Sequence, residues 1–136
     1  MGAIICAIEA TPEADEALRA AVRLSRDARL RLVLVHVEES AGTDPAGRSA
    51  AQRRGRQLLD RAAASQGVEG EADLRVELGE PACSLARVAA EEAASVIVLG
   101  SRRLHWWQRR PVSGLSAVLA ATAPCPVAVV PQPARR

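Results

Sequence analysis

Residues 95–131 consist of SVIVLG, SRRLHWWQRRPV, SGLSAVLAATAP and CPVAVVP in succession, and this stretch decides the fold. An apolar run ends in Gly100, a basic loop with both tryptophans follows, and a short helix pattern leads to a second apolar run bounded by prolines. Strand, helix and strand patterns in this order are typical of a parallel sheet covered by helices. Gly100 gives the backbone greater conformational freedom at the end of the first apolar run, and Arg102 and Arg103 follow after Ser101. We therefore expect any site for a small anion in this stretch.

The rest of the chain repeats the alternation of strands and helices. Apolar runs and period-two patterns predict strands at residues 3–8, 31–37, 72–78, 96–99 and 127–130. Apolar spacing and capping residues predict helices at about 11–28, 48–65, 81–92 and 114–121, and residues 38–47 are predicted to be a surface loop. With right-handed crossovers, this order predicts an α/β fold: an open five-stranded parallel sheet with helices on both faces.

Strand composition also predicts the order within the sheet. The strands at 3–8 and 96–99 are continuously apolar, which favours central positions, whereas the strand at 72–78 alternates and is predicted at an edge. Ligands of open α/β sheets bind beyond the carboxyl ends of the strands, where the strand order reverses. Glu9 and Gly100 lie at the carboxyl ends of the two central strands, so we expect both residues at that position.

The last strand is expected at the other edge of the sheet. It consists of Val127, Ala128, Val129 and Val130 and is apolar throughout. An unpaired apolar edge promotes association with another chain. We therefore expect a homodimer in which a second copy of the chain covers this strand.

Length and composition restrict the class of protein. A chain of 136 residues can form one domain with a hydrophobic core, here expected to span residues 1–136. No apolar run reaches the roughly 20 residues of a membrane span, and the amino terminus lacks a secretory pattern, so a cytoplasmic protein without a membrane partner is expected. The net charge of +2 does not indicate a nucleic-acid partner. Cys6, Cys83 and Cys125 lack metal-ligand spacing and are expected to be free, mostly buried thiols, with no metal site.

No catalytic constellation is recognisable by spacing. His36 lies within a predicted buried strand and is expected to be a hydrogen-bonded core residue, while His105 lies in the basic loop. The serines lack the context of an activated nucleophile, and the early carboxylates fit a helix surface. We therefore expect a protein that is not an enzyme.

Four segments carry a resemblance to a known family. They are IICAIEATPEADEALRAA at 4–21, LVLVHV at 32–37, GEPACSLARVAAEEAASVIVLGSR at 79–102 and APCPVAVVP at 123–131. In these segments and in element order, the chain resembles the universal stress proteins over nearly its full length. The resemblance implies an open five-stranded α/β fold of the Rossmann-like type and dimerisation through the final strand.

The resemblance also implies a nucleotide site. Many members bind ATP through Gly-x-x-Gly, nine further residues and Gly-Ser or Gly-Thr, with an Asp at the end of the first strand. Here the spacing is retained, but Arg103 and Ser113 stand in place of two glycines, Gly114 in place of Ser or Thr, and Glu9 in place of the Asp. The candidate nucleotide-binding residues are Glu9, Val37, Gly100, Arg102, Arg103, Ser113, Gly114, Leu115 and Ser116, and the implied ligand is ATP or AMP.

Three functions follow from these departures. In the first, Arg103 occupies the phosphate space, and the protein is a non-catalytic stress-response homodimer with weak or absent ATP affinity. In the second, Arg103 itself binds the phosphates, and the protein is a genuine ATP or AMP binder and possible slow ATPase. Trp106 and Trp107 stack on a base, cover the site, pack internally or contact a partner. The last of these would make the basic loop a docking site for an unknown protein.

Overall fold

The computed structural model describes residues 2–9, 14–39, 42–100 and 122–130. Strands and helices alternate through these ranges, as the hydrophobic pattern predicts, and the helix predicted at 114–121 lies outside them. The elements are β1 Ala3–Ala7, α1 Ala14–Ala28, β2 Arg31–Glu38, α2 Pro45–Ser65, β3 Asp73–Leu78, α3 Pro81–Glu91, β4 Ala94–Gly100 and β5 Val127–Val130.

The five strands form one parallel sheet in the order β3-β2-β1-β4-β5. The chain first adds strands on one side of β1 and then returns to add β4 and β5 on the other. The strand order therefore reverses between β1 and β4, which confirms the predicted central pair. The predicted edge positions of β3 and β5 are also confirmed.

Helices cover both faces of the sheet, and each face has its own apolar core. On one face, α1 and α2 contribute Leu18 and Leu59 to a cluster with Ile4 and Leu34 of the strands. On the other face, α3 contributes Leu85 and Val88. The alternate side chains of β1 are divided between the two clusters, and all five of its residues are buried. This double burial explains why β1 has no charged residue.

Helix α2 begins earlier than its apolar pattern predicts. We expected the helix from about residue 48, after a loop at 38–47, but it begins at Pro45. The side chain of Asp44 accepts a hydrogen bond from the Gly47 amide at 3.1 Å, and proline occupies the first turn, where it needs no amide hydrogen. Capping therefore sets this start, three residues before the boundary that we predicted.

A network of ion pairs lies along the β3 edge, and we call it the edge network. Its members are Arg31, Asp73, Arg75, Glu77, Arg87, Glu91 and Glu92. Arg75 donates to Glu91 at 2.7 Å and to Glu92 at 3.0 Å, which ties β3 to the end of α3. The hydrogen bond from Arg31 lowers the pKa of Glu92, partial burial opposes this effect, and Arg75 adds to the lowering.

The lowered pKa of Glu92 predicts a pH-dependent contribution to stability. A carboxyl group whose pKa is lower in the folded state stabilises the fold above its unfolded pKa, and this contribution is lost as the pH falls through the folded pKa. Glu92→Gln should lower the free energy of unfolding by about 0.5 to 1 kcal/mol at pH 7, a value limited by solvent screening. Urea unfolding should show this difference shrinking below pH 4.5, the ordinary value for the group.

Glu69→Gln is the matched control for this prediction, because Glu69 is exposed and makes no ion pair among the described residues. This substitution should change the free energy of unfolding by the same small amount at every pH. An equal effect of the two substitutions at pH 7 would contradict a stabilising role for the edge network.

Gly55 allows α2 to approach the sheet closely. It lies on the buried side of α2, and a Cβ atom placed there would be 2.7 Å from Val76 Cγ1 and 3.3 Å from His36 Cδ2. The first distance is shorter than any ordinary contact, so the branched side chain of Val76 would have to move. Glycine at this position is explained by the contact between α2 and β3.

Gly55→Ala should therefore destabilise the protein. Overpacking typically costs about 1 to 3 kcal/mol, which outweighs the gain of about 1 kcal/mol in helix propensity. A net loss of about 1 kcal/mol should appear in urea unfolding. In a Val76→Ala background the clash is relieved, so Gly55→Ala should become neutral or stabilising. If Gly55→Ala stabilised the protein that retains Val76, the packing argument would be refuted.

Candidate functional site

The candidate site lies at the carboxyl edge of the sheet, between β1 and β4. Cys6 of β1 pairs with Val98 of β4, so Ile8 and Gly100 each lie two residues beyond a paired position. Glu9 follows and is half-buried. In open α/β sheets, ligands bind beyond the carboxyl ends of the strands at the point where the strand order reverses, which here is the edge between β1 and β4. The structure therefore places Glu9 and Gly100 at the edge where the sequence predicts them.

Gly100 has room for a side chain as far as the described residues are concerned. A Cβ atom at this position would lie 3.7 Å from the Cβ of Ala17, which is an ordinary van der Waals contact. Packing of α1 against β4 therefore does not require glycine. Close approach of a ligand or of the residues that follow remains as a reason for glycine at this strand end.

Val37 lies near the end of β2, on the same edge of the sheet. It is 6% exposed and belongs to the apolar cluster under α3, together with Ala7 and Leu99. Its side chain thus supports the floor beneath the strand ends and offers little surface of its own. Other candidates lie outside the described residues, namely Arg102, Arg103, Ser113, Gly114, Leu115 and Ser116, as do His105, Trp106 and Trp107.

A small cleft opens beside Glu9, between α1 and α2. Its volume is about 150 Å³, and its lining combines the apolar side chains of Leu18 and Leu58 with the charged residues Asp15 and Arg61. Pockets for drug-sized ligands and cofactors usually measure about 300 to 1,000 Å³. This cleft is too small to enclose a nucleotide, although Glu9, which follows β1, forms part of its lining.

His36 connects the ends of β1 and β2. Its Nδ1 lies 2.8 Å from the carbonyl oxygen of Ile8, and its Nε2 lies 3.2 Å from Glu38 Oε1. The side chain is 13% exposed, so the expected hydrogen-bonded histidine is present, but it lies at the carboxyl edge of the sheet. Sequence reasoning missed its contact with Ile8, because that contact depends on the register between β1 and β2.

The three cysteines are free, but they are not equally buried. Cys6 is buried in β1, and burial raises the pKa of its thiol to about 12; burial also raises the pKa of Cys125. Cys83 is exposed, which corrects the expectation of mostly buried thiols. It lies in the first turn of α3, and its hydrogen bond with Glu80 raises the pKa of its thiol. None of the three thiols is activated as a nucleophile.

Residues 2–9, 14–39, 42–100 and 122–130 contain neither a metal-binding cluster nor a membrane-spanning helix. Within these ranges, no group of three or more His, Cys, Asp or Glu side chains is arranged to hold a metal ion. The helices there are also too short or too polar to span a bilayer.

Comparison with known proteins gives consistent matches in sequence and in structure. The universal stress protein YxiE of Bacillus subtilis is 26% identical over 145 residues, which cover 93% of this chain and 97% of the relative. A crystal structure from the universal stress protein family of Burkholderia pseudomallei is 32% identical, covers 96% of both chains and superposes with a TM-score of 0.67.

A third comparison concerns a ligand complex. The universal stress protein of Archaeoglobus fulgidus in complex with dAMP has the same fold, with a TM-score of 0.67, 21% identity, and coverage of 95% of this chain and 97% of that chain. At this identity the likeness shows the fold alone.

Membership of a family follows from the extent of the sequence match. The profile of the universal stress protein family matches residues 1–131, which is nearly the whole chain. The five-stranded parallel sheet agrees with this match. The chain belongs to the universal stress protein family.

Proposed function

We propose that this protein is a non-catalytic, homodimeric stress-response member of its family whose nucleotide site binds ATP or AMP weakly or not at all. The observation that carries the proposal is the replacement of two motif glycines by Arg103 and Ser113 with the motif spacing retained. Glycines in such loops let the backbone approach phosphate and adopt positive φ, which costs other residues about 1 to 2 kcal/mol. An arginine at this position also brings a long side chain into the space beside the phosphates.

The described edge of the sheet supports a site that is altered but not abolished. Glu9 retains a carboxylate that can accept hydrogen bonds from ribose hydroxyls, although it is one methylene longer than Asp. The first glycine of the motif is retained as Gly100, the last residue of β4. The relative from Archaeoglobus fulgidus, which holds dAMP, is consistent with a nucleotide-sized site in this fold.

A second candidate function is supported by the same arginines. Guanidinium groups bind phosphate through two parallel hydrogen bonds, so Arg102 and Arg103 can replace the backbone amides of a glycine cradle. The protein would then be a genuine ATP or AMP binder, with slow hydrolysis as a further activity. The two candidates differ in the sign of the effect of Arg103 on nucleotide affinity.

Substitution of Arg103 distinguishes the two functions. Under the first, Arg103→Gly removes an obstruction, so ATP and AMP affinity measured by calorimetry should rise about tenfold or more, equivalent to about 1.4 kcal/mol. Under the second, affinity should fall by a similar factor. Arg110→Gly is the matched control, because it removes the same charge from the same loop outside the motif positions, and it should leave affinity nearly unchanged. Micromolar binding of ATP by the unsubstituted protein would refute the first function.

The homodimer is proposed to form through β5. This strand pairs with β4 on one side, and among the described residues no strand pairs with its other side. Val127, Val129 and Val130 are half-buried, and Ala128 is exposed. An apolar edge with free backbone donors and acceptors favours pairing with a second copy of the same strand.

Val129→Glu should therefore produce monomers in analytical ultracentrifugation. Two like charges would face each other across the paired strands and would lose solvent on association. Ala64→Glu is the control, because it adds the same charge at an exposed position of α2 and should leave the dimer intact. Circular dichroism verifies that both variants are folded. A dimer that persists in folded Val129→Glu would contradict pairing through β5.

A further inference from the structure

We propose that a cleft at the amino edge of the sheet binds a free aliphatic amino acid, because its floor is apolar and its rim carries unpaired charges of both signs. The cleft lies between the end of α1, the start of β2 and the connection from α2 to β3, and its volume is about 240 Å³. We call it the amino-edge cleft. Since it lies at the opposite edge of the sheet from Glu9 and Gly100, this site is independent of the proposed nucleotide site.

The floor of the amino-edge cleft is the border of the apolar core under α1 and α2. Val22, Leu32 and Val68 line it and are buried members of that core. Leu30 and Ala72 also line the cleft and pack against the same cluster. An aliphatic group that covers this floor removes apolar surface from water on both sides of the contact, which favours binding. The floor therefore fits a hydrocarbon side chain.

The rim of the cleft carries charges of both signs on different elements. Arg26 and Arg29 come from the end of α1, and Glu71 comes from the connection between α2 and β3. Within the part of the chain that the structure describes, none of the three forms an ion pair. An ion pair requires nitrogen and oxygen within about 4 Å, so a gap separates Glu71 from both guanidinium groups. A ligand that carries a carboxylate and an ammonium group can bridge that gap.

Arg31 also lines the cleft, but its charge is already compensated. Its Nη1 donates to Asp73 at 3.3 Å and to Glu92 Oε1 at 3.0 Å, and its Nη2 donates to the backbone carbonyl of Glu92 at 3.0 Å. The edge network therefore holds this guanidinium group. Arg26 and Arg29 are left to bind the carboxylate of a ligand, and Glu71 is left to accept from its ammonium group.

Backbone hydrogen bonds fix both sides of the cleft before a ligand binds. The Leu30 amide donates to the Ser25 carbonyl at 3.0 Å, and the Ser25 hydroxyl donates to the Leu30 carbonyl at 2.8 Å. On the side of the connection to β3, the Glu71 amide donates to the Val68 carbonyl at 3.0 Å. A site with a fixed backbone loses less conformational freedom on binding. Ordering is thus confined mainly to the charged side chains of the rim.

Size and charge together limit the class of ligand. The volume of about 240 Å³ is below the usual range for drug-sized ligands and cofactors, so the cleft fits a molecule smaller than a nucleotide. A simple carboxylate would leave Glu71 unpaired beside a like charge, and a simple amine would face two arginines. An aliphatic amino acid supplies both charges together with a hydrocarbon group for the floor.

Titration with leucine, followed by nuclear magnetic resonance without nucleotide, tests this site. The amides of Leu30 and Ala72 should shift and saturate in roughly the millimolar range, while the amide of Glu9 should stay unmoved. Three probes are matched to leucine: isocaproate lacks the ammonium group, isoamylamine lacks the carboxylate, and glycine lacks the hydrocarbon side chain. Each should bind about tenfold more weakly or less.

Substitutions at the rim separate the roles of the two charges. Glu71→Gln should weaken leucine about tenfold without weakening isocaproate, whereas Arg26→Gln should weaken both. Arg23→Gln is the matched control, because Arg23 is an exposed arginine of the same helix that does not line the cleft. It should leave leucine affinity unchanged. Circular dichroism verifies that these surface variants are folded.

Arg29 offers a variant in which binding and stability should change in opposite directions. Its φ of 56° lies in the left-handed region, which glycine adopts more readily than arginine. Arg29→Gly should therefore raise the midpoint of urea unfolding and, because one guanidinium group is lost, weaken leucine about tenfold. A merely structural role for Arg29 would not produce this combination.

Four results would overturn the inference. They are the absence of a saturable shift with leucine, isocaproate that binds as tightly as leucine, glycine that does so, and unchanged leucine affinity in Glu71→Gln or Arg26→Gln. Calorimetry with ATP tests the proposed function separately, because the rim variants should bind ATP as the unsubstituted protein does. Micromolar ATP binding would refute the proposed function and leave the leucine titration as the test of the amino-edge cleft.

Discussion

The structure depends on the burial of β1 between two parallel neighbours. β1 pairs with β2 on one side and β4 on the other, and its side chains enter both apolar clusters. Because every residue of the strand is buried, its backbone groups must be satisfied by ladder hydrogen bonds. The same arrangement makes the end of β1 the point where the strand order reverses. The position of the candidate site is thus a consequence of how the core is built.

The neighbourhood of that strand end is polar in a way that the core is not. Ile8 contacts β2 through its amide and its carbonyl, and His36 supplies one of those contacts at the boundary between buried and exposed structure. A half-buried polar side chain is costly to desolvate unless it is well hydrogen-bonded. Glu38 compensates that cost here. The end of β1 is thereby attached to β2 through both backbone polar groups of Ile8.

The sequence predicts the fold more completely than the site. Strand β5 and the end of α1 lie where the hydrophobic pattern places them, because burial produces a period that can be recognised without tertiary information. The start of α2 was misplaced, because Asp44 and Pro45 lie in a run of turn-forming residues that conceals a cap. The contact between His36 and Ile8 joins two strands, so no local pattern contains it. Most of the motif lies in residues 101–121, outside the described ranges, so the roles of Arg103 and Ser113 in the site remain predictions.

The edge network makes the two sides of the sheet chemically different. On β3, Asp73 already pairs with β2, and Arg75 and Glu77 pair with α3 and its end, whereas β5 presents alanine and valine. A strand approaching β3 would have to displace these pairs and bury charge. Pairing of two β5 strands about a two-fold axis would give a ten-stranded sheet with β3 at both outer ends. In the proposed dimer, growth would stop there, because the charged strand would favour a closed pair over an open filament.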